Sequence, residues 1–350
     1  MKILYGVQGT GNGHTARARA MAYALKERNV DVDFLFSGRE KSRYFSMEAF
    51  GDYQTRRGVT FATEKGKINY VKTGLNANVL NMYKEIRELD LSEYDLVIND
   101  FEPVSAWAAK LQKVPCIGIS HQNAFLYDVP KKGNGLIDNL IIRHFAPTNI
   151  QIGLHWYHFG QPILPPIVHT NAGHAVSKES FALVYLPFES VEEITNLLLR
   201  FSSQKFTCYH PEVIEEEVIE NIHLKPLSHT NFQVDLHRCQ GVIANGGFEL
   251  PSESLTLGKK LLLKPLAGQF EQESNVATLE TLGLAQSMDS LDPMAVRTWL
   301  DEQEAESVSY PDVASHIADW LLSGDWNAKD KLMSALWDKV DFPGYAAIND

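Results

Sequence analysis

A glycine-rich loop after the first apolar run is the first place in the chain where chemistry is expected. The stretch GTGNGHTARA contains Gly9, Gly11 and Gly13, and glycines let a backbone turn tightly and approach a ligand closely. The loop opens a predicted helix, whose free N–H groups favour a polar or anionic ligand. His14 stands where loop and helix meet, at the sheet edge where open α/β folds place ligands.

Asp100 ends another apolar run, DLVIND, and is predicted to emerge at the same sheet edge as His14. Its carboxylate could hydrogen-bond the imidazole, fix its tautomer and stabilise its charged form. Two simpler interpretations stay open. His14 could be a helix-start histidine satisfied by backbone, and Asp100 could be the N-cap of the helix that follows. The chemistry we predict is a His–Asp dyad acting as a general base.

A second glycine-rich turn lies within ANGGFELPSES and comprises Asn245, Gly246, Gly247 and Phe248. The helix predicted to begin near Pro251 would direct its N-terminus at a ligand, which stabilises a nearby anion by roughly 0.3 to 2 kcal/mol. A diphosphate bound there needs no metal ion, so we expect no metal site and no cofactor.

The stretch from Ala244 to Ala285 resembles the donor-binding segment of MurG-type peptidoglycan glycosyltransferases and of UDP-glycosyltransferases. The shared order is a Gly-rich turn, a Glu five residues before a Gly, a Pro, an acid or amide followed by Gln, and an Asn. The resemblance implies that Glu253 holds the nucleotide ribose hydroxyls. It also implies that Glu271 and Gln272 hydrogen-bond the donor sugar.

This segment departs from the family pattern where a Ser or Thr usually contacts phosphate. Leu250 and Pro251 occupy those positions, which leaves Ser252 and backbone N–H groups as the expected substitutes. The alternative is an ordinary strand, turn and helix with polar surface residues. That alternative explains single features of the segment but not their joint spacing.

The amino-terminal half carries two weaker resemblances to the MurG type. GTGNGH resembles its GGTGGH loop, so Thr10 and Asn12 join the three glycines as an acceptor or phosphate loop. SHQNA resembles its HEQN stretch, which implies that His121, Gln122 and Asn123 lie on the acceptor side. In UDP-glycosyltransferases the base and its partner stand at positions like those of the predicted dyad, whereas the MurG type lacks a clear aspartate counterpart.

The elements that must position these residues follow from hydrophobic periodicity. Strand-like runs at Ile3–Val7, Val32–Phe36, Asp95–Asn99 and Pro115–Ser120 alternate with helical patterns such as Thr15–Glu27. This alternation predicts a parallel sheet covered by helices. Residues 53 to 90 are interpreted as a strand, a mobile loop and a helix.

A second βαβ series begins with FALVYLPF, after three prolines close together in GQPILPPIV. A stiff connector of this kind places a domain boundary near Gly160. We therefore predict an α/β protein, and the resemblance implies the GT-B architecture of two Rossmann-like domains. On this resemblance we expect residues 1–160 to form the acceptor domain, residues 161–330 to form the nucleotide-sugar donor domain, and residues 331–350 to pack back on the first domain.

Composition excludes several classes of function. The 350 residues carry a net charge of -12, which disfavours nucleic acid and anionic membranes as partners. There is no signal peptide and no apolar stretch that could span a bilayer, so a cytoplasmic protein is expected. The three cysteines are widely separated and should be buried thiols. The glycine loop does not read GxGxxG, which disfavours a dinucleotide site.

The resemblance as a whole implies a metal-independent, inverting glycosyltransferase that uses a nucleotide-sugar donor, with UDP favoured. The acceptor could be a saccharide, a lipid-linked intermediate or a small metabolite. Two alternatives stay open, a nucleotide-sugar 2-epimerase of the same fold and a non-catalytic nucleotide-sugar-binding protein.

Overall fold

The computed structural model describes residues 1–44, 46–59, 63–64, 67–68, 79–133, 135–168 and 175–348. The first sheet is entirely parallel, in the order β3-β2-β1-β6-β7-β8-β9, and β4 and β5 form a separate antiparallel pair. In chain order the strands are β1 Lys2–Gln8, β2 Asp31–Ser37, β3 Gln54–Arg56, β4 Thr63–Glu64, β5 Lys67–Ile68, β6 Leu96–Asp100, β7 Cys116–Ser120, β8 Ile150–Leu154 and β9 Ile163–Leu164.

Four α-helices accompany this sheet in the described part of the chain: α1 Asn12–Glu27, α2 Val79–Glu88, α3 Pro103–Gln112 and α4 Leu136–His144. Helix α1 begins three residues before the predicted Thr15, because Gly11 has the extended backbone of an N-cap. The strand and the helix expected between residues 53 and 90 are present as β3 and α2. Most of the loop predicted between them lies outside the described residues.

The interior strand β1 is apolar on both of its faces, as a buried parallel strand must be. Ile3, Tyr5 and Val7 pack into one core together with α1. Leu4 faces the opposite side, where it packs with residues of α2 and α3. The sheet is therefore covered on both faces, and its carboxyl edge is the part left open for a ligand.

The second sheet has the order β12-β13-β11-β10-β14-β15-β16 and is parallel except for the antiparallel edge strand β12. Its strands are β10 Glu179–Tyr185, β11 Lys205–Tyr209, β12 Glu217–Ile219, β13 Ile222–Lys225, β14 Cys239–Asn245, β15 Lys260–Lys264 and β16 Gln286–Ser287. The helices that follow in the chain are α5 Val191–Leu198, α6 His229–Arg238, α7 Glu249–Thr256, α8 Phe270–Thr281, α9 Pro293–Asp301, α10 Val313–Ser323 and α11 Lys329–Trp337.

The two sheets belong to two domains that the C-terminal helices join. The first sheet ends at Leu164 and the second begins at Glu179. Helix α10 packs against α1 of the first domain, so the chain returns to that domain before residue 331. Further along, the Trp337 indole donates a hydrogen bond of 2.7 Å to the Ile163 carbonyl.

Two expectations from composition can be compared with the described residues. No helix among them is long and apolar enough to cross a membrane, and the cytoplasmic location stays a prediction. All three cysteines are buried free thiols, as predicted.

Candidate active site between the domains

The glycine-rich loop connects the end of β1 to α1, and close packing requires two of its three glycines. A Cβ on Gly9 would collide with the Tyr44 ring, which closes over the loop. A Cβ on Gly13 would lie 2.8 Å from Cγ of Glu249, a residue of the second domain. The loop therefore allows the two domains to approach each other at the start of α1.

The predicted His–Asp pair is in direct contact. Nδ1 of His14 lies 2.8 Å from Oδ1 of Asp100, which comes from the adjacent strand β6. The Asp100 side chain is fully buried, whereas 13% of the His14 side chain is exposed. Among the described residues no hydrogen-bond partner for Nε2 of His14 is present, which leaves that nitrogen available for a ligand.

Arg17 contacts the same carboxylate and was missed in the sequence. Its Nε donates to Oδ2 of Asp100 at 2.9 Å and its Nη2 to Oδ1 at 2.8 Å, while Nη1 donates to Glu249 across the domain interface. Arg17 stands three residues after His14, and residues at this spacing share a helix face. The three-residue spacing from His14 was the signal in the sequence that could have identified Arg17 as a neighbour of the dyad.

The hydrogen-bond pattern selects one tautomer of His14. Nη2 of Arg17 lies 3.0 Å from Nδ1 of His14, but the same group already donates to Asp100. An unprotonated Nδ1 would set two acceptors against each other at 2.8 Å. A proton on Nδ1, donated to Asp100, avoids this conflict and leaves Nε2 unprotonated, while Nη2 of Arg17 keeps Oδ1 of Asp100 as its acceptor. An unprotonated Nε2 is the form that a general base requires.

The pKa values of the two acids that contact Arg17 shift in opposite directions. Burial alone would raise the pKa of Asp100, but Arg17 and His14 outweigh it and hold this pKa below its usual value. Burial raises the pKa of Glu249 in spite of its contact with Arg17. Asp100 is therefore a fixed anion beside the imidazole.

Asp100 is not the N-cap of α3, one of the two simpler interpretations of the sequence. The cap is Glu102, whose carboxylate accepts from the backbone N–H groups of Val104 at 2.8 Å and Ser105 at 2.6 Å. Since another residue caps the helix, the carboxylate at the end of β6 is free to pair with His14 and Arg17.

A cavity of about 500 Å³, here called the cleft cavity, is lined by both domains next to the dyad. Gly13 and Thr15, the neighbours of His14, belong to its wall. Nine of the residues singled out in the sequence line it: Thr10, Gly11, Asn12, Gly13, Asn245, Gly247, Phe248, Glu253 and Gln272. Seven of the nine come from the two glycine-rich turns, and Glu253 and Gln272 come from α7 and α8, so the fold brings both turns to one cavity.

Glu253 is one of two buried acids, with Glu249, in the second-domain wall of the cleft cavity. Its Oε2 accepts a hydrogen bond of 3.0 Å from Nε2 of Gln233, and burial raises its pKa to about 7. Three aromatic rings line the same cavity: Tyr185, Tyr209 and Phe232. The ring centroid of Phe232 lies 5.5 Å from that of Tyr185 and 5.2 Å from that of Tyr209. This aromatic group was also missed, because its members lie on β10, β11 and α6 without a common motif.

Ser252 does not fit its expected role as a phosphate ligand. It is fully buried on α7, donates to the Phe248 carbonyl at 2.7 Å and accepts from the Trp156 indole at 2.9 Å. A hydroxyl with both functions satisfied inside the protein is unavailable to a ligand. The backbone N–H groups at the start of α7 are the remaining candidates for phosphate.

The three residues expected on the acceptor side are all buried, and His121 contacts the second domain. Nδ1 of His121 lies 2.8 Å from the Leu154 carbonyl and Nε2 lies 2.6 Å from Oδ1 of Asn275. The His121 ring also stacks on Phe248 with centroids 3.9 Å apart. Since both ring nitrogens are occupied, this histidine joins the domains and does not face the cavity.

Of the two residues that follow His121, Gln122 also contacts the second domain, whereas Asn123 is bonded within the first. Gln122 donates from Nε2 to Oε2 of Glu271 at 3.1 Å, which directs this acid toward the first domain. Asn123 is buried against the Ser120 hydroxyl at 3.2 Å. Of the pair expected to bind the donor sugar, Gln272 lines the cleft cavity and Glu271 is held in the domain contact.

Comparison with known proteins agrees with this architecture. Residues 1–303 match the family model for glycosyl transferase family 1. The chain belongs to this family. Its membership makes the protein a glycosyltransferase, as the resemblance predicted. No curated protein sequence matches the chain significantly.

Solved glycosyltransferases share the fold at low identity. SnogD from Streptomyces nogalater aligns with a TM-score of 0.56 and 14% identity, covering 92% of this chain and 99% of that chain. MurG from Acinetobacter baumannii aligns with 0.53 and 14%, covering 92% and 100%. UGT89C1 from Arabidopsis thaliana, complexed with quercetin, aligns with 0.60 and 12%, covering 95% and 98%. These likenesses confirm the predicted GT-B fold.

Proposed function

We propose that this glycosyltransferase moves a sugar from a UDP-sugar to an acceptor hydroxyl, with inversion at the anomeric carbon and without a metal ion. The observation that carries the proposal is the contact between Nδ1 of His14 and Asp100 beside the cleft cavity. It supports a base whose Nε2 takes the acceptor proton while the acceptor oxygen attacks the anomeric carbon. The bond from that carbon to the nucleoside diphosphate breaks on the opposite face.

The donor is proposed to lie on the second domain. Glu253 would accept hydrogen bonds from the ribose hydroxyls. The rings of Tyr185 and Phe232 would offer apolar faces to the nucleobase. The N-terminus of α7 would face the diphosphate. Glu249 stands in the first turn of α7, where a free carboxylate would repel a diphosphate. Burial raises the pKa of Glu249 to about 8, which favours its neutral form, and Arg17 compensates the charge of the carboxylate when it forms.

Calorimetric titration with UDP, GDP, dTDP, ADP and CMP in the presence of EDTA tests the donor site. Selective binding of UDP is the expected result, and tighter binding of another nucleotide would replace UDP in the proposal. With a donor and an acceptor in hand, the anomeric configuration of the product decides between inversion and retention. Activity that EDTA abolishes and Mg²⁺ restores would contradict the metal-independent mechanism.

A further inference from the structure

A second cavity, here called the basic cavity, opens at the same sheet edge as the cleft cavity. Its volume is about 740 Å³, and it lies between the segment that follows β2 and the end of β3. Thr10 and Arg39 line both cavities, so the two adjoin at the glycine-rich loop. A molecule that reaches the dyad through the cleft cavity can therefore extend into the basic cavity.

Five basic side chains line the basic cavity: Arg39, Lys41, Arg43, Arg56 and Arg57. None of them forms a salt bridge with a carboxylate in the described part of the chain. This cluster contrasts with the whole chain, whose net charge is -12. Two acids share the lining. Glu40 is exposed, and Glu85 accepts from the backbone N–H groups of Arg57 at 2.8 Å and Gly58 at 3.1 Å.

Neighbouring side chains hold part of the cluster in position. The Arg39 guanidinium donates to Oδ1 of Asn12 at 3.2 and 3.3 Å and lies 4.9 Å from the centre of the Tyr44 ring. Lys41 extends over the Tyr53 ring at 5.2 Å. Cations that are already oriented lose little freedom when they bind an anion, so the cavity is arranged for an anionic group.

We propose that the basic cavity binds a phosphate group of the acceptor, so that the acceptor is a phosphorylated molecule whose hydroxyl reaches His14. This inference rests on the proposed function, because it takes the cleft cavity as the place of sugar transfer. A phosphate offers more oxygens and more charge than a carboxylate and can engage several guanidinium groups at once. Water-soluble sugar phosphates and lipid-linked phosphates both carry this group.

Binding of inorganic pyrophosphate to the protein saturated with UDP tests the cavity by calorimetry. The double variant Arg43→Gln, Arg57→Gln should weaken pyrophosphate binding at least tenfold and leave UDP affinity unchanged. The matched control Arg87→Gln, Arg200→Gln removes the same charge at exposed positions outside the cavity and should leave both affinities unchanged.

Two binding results would overturn the inference. One is no pyrophosphate binding to the UDP-saturated protein. The other is an equal loss in both double variants, which would indicate diffuse charge. A protein that binds pyrophosphate at the basic cavity but no nucleotide would count against the proposed function and leave the cavity assignment intact.

Turnover then identifies the source of the phosphate. A panel of UDP-sugars is incubated with sugar phosphates in solution, or with polyprenyl-phosphate-linked sugars in micelles, each beside its dephosphorylated counterpart. One of the two phosphorylated sets should release UDP. For the acceptor in that set, the Arg43→Gln, Arg57→Gln variant should have a KM at least tenfold higher, with little change in kcat. Equal turnover of the dephosphorylated counterparts, or no turnover in either phosphorylated set, would overturn the inference.

Discussion

At the scale of single residues, the His14 imidazole has one nitrogen committed to Asp100 and the other available to a substrate. Arg17 holds the same carboxylate at 2.8 and 2.9 Å, so Asp100 is an anion that cannot rotate away. A fixed anion keeps the proton on Nδ1 and stabilises the imidazolium that forms when Nε2 takes a proton.

Replacing His14 with Ala removes the proposed base and leaves the second-domain wall of the cleft cavity intact. We expect kcat to fall about 10²- to 10⁴-fold, the usual contribution of general-base catalysis, with UDP affinity unchanged. Steady-state kinetics and calorimetry measure the two quantities. His144→Ala, at an exposed histidine of α4, is the control and should keep full activity. Loss of UDP binding in the His14 variant would instead indicate a donor contact.

The raised pKa of Glu253 predicts a pH-dependent donor affinity. Burial raises this pKa to about 7, so the carboxylate is neutral below that pH and charged above it. A charged carboxylate accepts two hydrogen bonds from a cis-diol, so UDP binding should tighten roughly five- to tenfold from pH 6 to pH 8. Glu253→Gln should bind UDP more weakly at pH 8 and lose this dependence. Because both proteins meet the same UDP ionisation, an equal pH slope in the two would contradict the assignment.

At the scale of secondary-structure elements, β1 packs so closely against α3 that no side chain fits at Gly6. A Cβ on Gly6 would collide with the Ser105 side chain of α3 and lie 3.2 Å from Oε2 of Glu102. Glu102 also accepts from the Ser37 hydroxyl at 2.6 Å and thereby ties β2 to α3. This polar network fixes the strand ends that carry the glycine loop and the dyad.

Gly6→Ala should therefore destabilise the first domain by about 1 to 3 kcal/mol, the usual cost of overpacking. Thermal or denaturant unfolding measures the change. Gly344→Ala is a suitable control, because a Cβ there has no neighbour within 4 Å and the residue does not require a left-handed backbone. Equal stability of the two variants would indicate that α3 can shift away from β1 without cost.

At the scale of the whole molecule, buried polar contacts hold the two domains together in the described structure. His121 meets Asn275, Trp156 meets Ser252, and Arg17 meets Glu249. Polar groups that are buried against one another must keep their hydrogen-bond partners, because leaving one buried group unpaired lowers the stability of the fold by about 1 to 3 kcal/mol. The interface therefore has a defined geometry as well as apolar area.

A double-mutant cycle on Trp156→Phe and Ser252→Ala tests this interface. The indole N–H donates to the hydroxyl at 2.9 Å, and both side chains are fully buried. We expect a coupling free energy of about 0.5 to 1.5 kcal/mol in unfolding experiments. The exposed pair Arg28 and Asp319, which joins α1 to α10, should give a smaller coupling. Additive effects at Trp156 and Ser252 would indicate that the domains separate in solution.

The sequence by itself determined the repeating βα order, the glycine-rich turns and the pairing of His14 with Asp100. These features depend on local periodicity and on the rule that parallel strands present their carboxyl ends at one edge, and both can be read along the chain. The spacing around Glu253 was likewise sufficient to indicate the family, because the donor segment is one continuous stretch of sequence from the end of β14 to α8.

Only the tertiary structure decided which polar residues face the cleft cavity. Arg17 meets Glu249 across 232 positions of sequence, and His121 meets Asn275 across 154. Both contacts exist because the second domain packs against part of the carboxyl edge of the first sheet and leaves the cleft cavity beside it. Periodicity gives the face of each element but not the partner that covers it, so the burial of His121 and Ser252 and the clustering of five cations beside the loop could not be predicted from residue order.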